Sequence, residues 1–138
     1  FFKQKTAYEM PSDWSSDVCS SDLIGRLLTN FPENADLQLA NSCTIRMAHF
    51  FPTNDSIRIN CNRGVNGIDG SMSTAVGFAA ANPKATFLII GDLSFFYDMN
   101  ALWNQNYGAN IRILLLNNEG HALSSAIRGS WRASSSSF

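Results

Sequence analysis

Two short apolar runs, each closed by a turn, constrain this chain more than any other feature in it. The first, residues 85–90, stops at Gly91, Asp92, Leu93 and Ser94; the second, residues 111–116, stops at Asn117, Asn118, Glu119 and Gly120. Short runs of β-branched or bulky residues bounded by turn formers read as buried parallel strands. Residues 94–106 between them have helical length, with Phe95, Met99, Leu102 and Trp103 at three- and four-residue steps. The spacing predicts a strand-helix-strand unit. Asp92 and Asn118 then fall at strand tips on one edge of a sheet, the edge where open α/β sheets bind ligands.

A carboxylate and an amide oxygen at that edge are hard ligands suited to Mg²⁺, which takes its remaining ligands from phosphates and water. The bland reading is a strand-end Asp capping a helix beside an Asn-Asn turn, and for an arbitrary pair of this kind it is the commoner one.

Upstream, residues 37–40 and 57–60 read as two more short strands, and residues 44–51 as a helix that Pro52 stops. Ser42 is placed to cap that helix. Arg46 reads from spacing alone as a solvated position, and His49 as structural or exposed. Residues 62–70 hold Gly64, Gly67 and Gly70, a loop whose backbone lets an anion or a ring come close. It is not a Walker phosphate loop, for the Gly-Lys-Ser/Thr ending is absent. Residues 71–81 read as a helix of small residues ended by Asn82 and Pro83. Trp103 reads as core. Tyr97, Asp98 and Asn100 read as helix-facing or packing residues, and Asp69 as a loop-ordering carboxylate.

Composition removes several functional classes. A net charge of -1 gives no electrostatic case for nucleic acid or an anionic membrane. No apolar run approaches a membrane span. The odd set Cys19, Cys43 and Cys61 has no metal-ligand spacing and argues against a disulfide framework, so a cytoplasmic setting is the default.

The motifs resemble a known family. Gly91 and Asp92, followed after an interval by Asn117 and Asn118, resemble the diphosphate motif of thiamine-diphosphate enzymes, with Leu93 where the third motif residue is usually Gly. Three segments resemble one branch, the 2-succinyl-5-enolpyruvyl-6-hydroxy-3-cyclohexene-1-carboxylate synthases of menaquinone biosynthesis. They are residues 91–102, residues 37–46 with Asn41, Ser42 and Arg46, and residues 62–70 with Arg63, Ile68 and Asp69.

The resemblance implies an α/β fold, a parallel sheet with helices on both faces, forming a truncated thiamine-diphosphate-binding domain. It implies thiamine diphosphate with Mg²⁺ (or Mn²⁺) as cofactors, and 2-oxoglutarate and isochorismate as substrates. The reaction implied decarboxylates the first and adds the resulting carbanion equivalent to the second. Asp92, Asn118 and the Gly120 carbonyl would hold the metal; Asn66, Ile68, Gly91, Asp92, Ser94 and Asn118 would meet the cofactor. Ile68 would wedge beneath its two rings, while Ser42, Arg46 and Arg63 would face substrate, the arginines as forks for carboxylate. The parent is expected to be a homo-oligomer with its active site shared between subunits, so this chain alone is expected to be inactive. Another thiamine-diphosphate enzyme, such as a 2-oxoacid decarboxylase or acetolactate synthase, and a non-catalytic α/β module are the alternatives.

The two ends read differently. Residues 3–9 and 13–23 resemble a sequencing-library adapter translated in frame, so residues 1–23 are expected to be a disordered scar. Residues 24–120 form the domain fragment. Residues 121–138 run into a serine-rich tail and are expected to diverge from the family.

Overall fold

The computed structural model describes residues 20–105 and 108–117. Asn118 and Gly120 lie outside the described residues, as does Asn106. Four strands form one all-parallel sheet in the order β2-β1-β3-β4: β1 Asp36–Leu39, β2 Arg58–Cys61, β3 Thr86–Gly91 and β4 Ile111–Leu116. Asp36 sits opposite Arg58 on one side and Thr86 on the other, and Thr86 opposite Ile111. All four expected strands are present, shifted by no more than a residue or so.

The helices cover both faces. α1 Ser20–Thr29 and α2 Cys43–Ala48 lie on one, where Ile24, Leu28, Ile45 and Ala48 meet Leu37, Leu39, Ile89 and Leu116. α3 Ser71–Ala81 lies on the other, where Met72, Ala75, Val76 and Ala79 meet Ala40, Leu88, Ile90 and Ile111. Adjacent residues of β3 serve opposite faces, Ile89 one and Ile90 the other, because side chains alternate along a strand. A strand sandwiched in this way is largely apolar, which is why 87–90 is a continuous hydrophobic run. α3 can lie close to the sheet because its buried positions are mostly Ala, Val and Ser.

Three expectations change. α1 starts at Ser20, so its first turn comes from the stretch read as a disordered scar, and Ile24 and Leu28 behind it are fully buried. The helix expected over 94–106 is two pieces, α4 Asp92–Tyr97 and a 3-10 helix Met99–Trp103, with the break at Asp98. Trp103, expected in the core, is 81% exposed.

From β1 the chain leaves in one direction through α2 to β2, then returns through α3 across β1 to β3 on its other side. The carboxyl tips of β1 and β3 therefore border the point where strand order reverses, the place where sheets of this kind form a binding crevice.

Candidate functional site

Within the described residues, several features that the sequence singled out border that crevice. β1 ends in Ala40, Asn41 and Ser42; β2 runs into the 62–70 loop; β3 ends at Gly91 and Asp92; β4 ends at Asn117. Gly67 and Ile68 reach the crevice through contacts with the first and third of these tips. Asn41 Nδ2 donates to the carbonyls of Gly67 at 2.8 Å and Val65 at 3.3 Å. Ser94 Oγ donates to the carbonyl of Ile68. The base of the loop is closed by Asn62, whose Nδ2 donates to Gly70 O at 3.2 Å and Thr74 Oγ1 at 2.8 Å. Gly70 takes φ 73°, a left-handed conformation that glycine adopts without a side-chain clash. An open hollow of about 510 Å³ is lined by Asn62, Gly64, Val65, Gly67 and Asp69.

Asp92 is half-buried at the first turn of α4, and its Oδ1 accepts from Leu93 N–H at 2.7 Å. Ser94 is buried, and the bond to Ile68 engages the hydroxyl that the sequence reading turned toward a diphosphate. Ser42 stands at the N-cap of α2, but its side chain makes no capping bond and its backbone sits at φ 73°, ψ -130°. Positive φ is uncommon for a residue with a Cβ and costs on the order of 1–3 kcal/mol. The tip of β1 is thus the strained point of the edge. Arg46 is exposed on α2, Arg63 and Asn66 are exposed in the loop, and His49 is exposed. The structure brings the Ile68 carbonyl to Ser94 and the Gly67 carbonyl to Asn41, and leaves Arg46 and Arg63 as solvent-facing cations.

Two residues that spacing did not reveal organise this edge. Asn41 was visible only as part of a motif. Asp98 read only as a helix-facing or packing residue, yet its Oδ2 accepts from Ser73 N–H at 2.6 Å and its Oδ1 from Ser73 Oγ at 2.5 Å. It caps the first turn of α3 from 25 residues away. At the other end of α3, Asn110 Nδ2 donates to Ala79 O and Asn82 O, each at 2.8 Å.

The donor chemistry of the edge suits an oxygen-liganded cation. Among the described residues no three His, Cys, Asp or Glu side chains converge. A strand-tip carboxylate such as Asp92 fits an ion that keeps phosphates and waters as ligands.

Residues 41–133 match the family described as thiamine pyrophosphate enzyme, C-terminal TPP binding domain. The chain belongs to this family. The matched span takes in β2, β3, β4, the glycine loop and Asp92. Three relatives named 2-succinyl-5-enolpyruvyl-6-hydroxy-3-cyclohexene-1-carboxylate synthase are similar to it. The one from Phocaeicola vulgatus is 60% identical over 122 residues, 87% of this chain and 22% of the relative. That from Bacteroides fragilis is 56% identical over 97 residues, 70% of this chain and 18% of the relative. That from Christiangramia forsetii is 46% identical over 110 residues, 78% of this chain and 19% of the relative. The chain thus spans about a fifth of the length of the curated relatives it matches. Family likeness also runs past Gly120, where the sequence reading ended it, as far as residue 133. An alignment covering 87% of the chain also takes in part of residues 1–23, in keeping with a helix that starts at Ser20.

Proposed function

We propose that this chain is the diphosphate-binding part of an enzyme that joins 2-oxoglutarate, after loss of CO₂, to isochorismate. The observation that carries this reading is the meeting of Asp92, the stapled 62–70 loop and the tip of β1 at one crevice, in a domain of the thiamine-pyrophosphate family. The synthase names of its relatives give the product of such a reaction, and the resemblance of the motifs gives the two substrates.

In this reading Asp92 holds Mg²⁺ or Mn²⁺ together with Asn118 and the carbonyl of Gly120, and the metal's remaining ligands come from diphosphate and water. Gly91 is compatible with this: a Cβ built on it meets no atom of the described residues within 4 Å, so the tip of β3 is open to an arriving group. Asn66 lies on the exposed side of the loop, toward the cofactor, and Ile68 supplies apolar surface beneath it. Thiamine diphosphate, when bound, supplies the reactive carbon and the electron sink for the 2-oxoacid. The chain's own contribution is placement. Arg46 on α2 and Arg63 in the loop are long, exposed forks, suited to bind carboxylate oxygens in pairs. Ser42, held at positive φ, puts a hydroxyl at the tip of β1. The parent acts as a homo-oligomer with the rest of the active site contributed by a neighbouring subunit. A cytoplasmic setting goes with the free thiols of Cys43 and Cys61.

The test is made on the full-length parent. Asp92→Ala is expected to lower affinity for thiamine diphosphate in the presence of Mg²⁺ at least tenfold, read by calorimetry. Arg63→Ala is expected to raise KM for the carboxylate substrates with cofactor affinity held. A parent that turns over pyruvate but not the 2-oxoglutarate and isochorismate pair overturns the substrate assignment. The 138-residue chain alone is expected to show no carboligation.

A further inference from the structure

The 62–70 loop carries Ile68, yet little within the loop fixes where Ile68 stands. Its three glycines leave the backbone many conformations. The bonds made by Asn62 close its base, and Arg63 N–H reaches only back to Cys61 O at 3.0 Å. Val65 at the crown is 83% exposed. What holds the inner half of the loop comes from elsewhere in the chain. Asn41 is 6% exposed and Ser94 is 4% exposed, and both hydrogen-bond toward this loop. One stands on the β1 tip and the other on α4, so the two lips of the crevice grip the loop from opposite sides. They take hold of the carbonyls of Val65, Gly67 and Ile68. In a trans peptide the N–H points opposite its carbonyl, so the same bonds turn the N–H groups of Asn66, Ile68 and Asp69 away from the staples.

We propose that Asn41 and Ser94 are positioning residues that set the height of Ile68 over the crevice. They neither replace nor contact the reacting atoms; they act through the loop. Ser94 lies two residues beyond Asp92 and Asn41 directly precedes Ser42, so the loop is registered against the proposed metal ligand and the strained serine at once. That consequence for the cofactor rests on the function proposed above; the grip itself does not.

Limited trypsin digestion of the 138-residue chain, without added ligand, reads the grip. Cleavage after Arg63 reports on the loop, and cleavage after Arg58 in β2 and Arg112 in β4 reports on opening of the sheet. Asn41→Ala and Ser94→Ala are expected to speed cleavage after Arg63 at least fivefold and to leave the other two sites within twofold. Asn41→Asp, which keeps the shape but cannot donate, should match Asn41→Ala. Ser94→Thr, which keeps the hydroxyl, should restore the original rate after Arg63. Equal acceleration at all three sites, or no change after Arg63, overturns the proposal. A second arm carries the same substitutions into the full-length parent and titrates it with thiamine diphosphate and Mg²⁺. Weaker binding in the variants whose loop is released supports the setting of Ile68, and unchanged binding in them overturns it. An unaltered parent that binds no thiamine diphosphate, while the variant chains show the Arg63-selective effect, counts against the proposed function and leaves the grip standing.

Discussion

α3 and the segment 92–103 pack on the same face of the sheet, and the chain holds them in different ways. α3 buries Ser71, Met72, Ala75, Val76 and Ala79 in an unbroken helix Ser71–Ala81, with Asp98 at its first turn and Asn110 at its last carbonyls. In α4 only Ser94 is buried, the helix stops after six residues, and Phe96 at 65% and Tyr97 at 70% stand exposed with Trp103. The two facts share a cause. Asp98 turns its carboxylate to Ser73, and its backbone at φ -129°, ψ 19° has left helical geometry. Regularity in the second segment is given up where it caps the first.

That comparison breaks most readily at Met72. Met72→Ala removes a fully buried side chain between α3 and the sheet and is expected to lower stability by about 2–5 kcal/mol in urea unfolding. Asp98→Ala should cost about 1–3 kcal/mol, because it leaves a part-buried N–H and a hydroxyl of Ser73 without their acceptor. A double-mutant cycle with Ser73→Ala should recover part of that as coupling. If the two changes add without coupling, the cap and the break are separate events. Trp103→Ser and Phe96→Ser should each change stability by no more than about 0.5 kcal/mol, as surface substitutions do. A cost above about 1 kcal/mol for either would show the second segment to be held as firmly as the first.

The smallest effect lies at the foot of the glycine loop. Burial pushes the Cys61 thiol above its ordinary value, and Arg63 pulls it partly back. The folded chain therefore holds this proton more firmly than the unfolded chain does. Its contribution is complete below the ordinary thiol range and is lost as pH rises through the raised value. Stability should decline slightly above about pH 9, and Cys61→Ser should flatten that decline.

How much of this was legible in the sequence depended on the range of the interactions. The strands were readable because a strand covered on both faces is largely apolar, and 87–90 and 111–116 are such runs. α3 was readable to the residue, since small side chains at 71–81 end at Asn82 and Pro83. The break at Asp98 was not, because a three- and four-residue period in Phe95, Met99, Leu102 and Trp103 says that they share a face, not that the face is covered. The grip of Asn41 on Gly67 spans 26 residues and that of Ser94 on Ile68 the same distance, beyond any local pattern. The positive φ of Ser42 left no trace either, for a serine before a helix reads as a cap. At the site, glycines and motif residues announced the crevice; the bonds that shape it were silent.

The all-parallel register has one more consequence, and it concerns time. Asp36 finds Arg58 after 22 intervening steps along the chain, but its other neighbour is Thr86, and both ends of α3 wait for Asp98 and Asn110. A chain emerging from a ribosome would hold β1 half-covered until β3 had been made. Such late, non-local closure makes folding slow and leaves an apolar strand edge open meanwhile. Expression at low temperature, or with a chaperone that shields open sheet edges, should therefore raise the soluble yield of this chain.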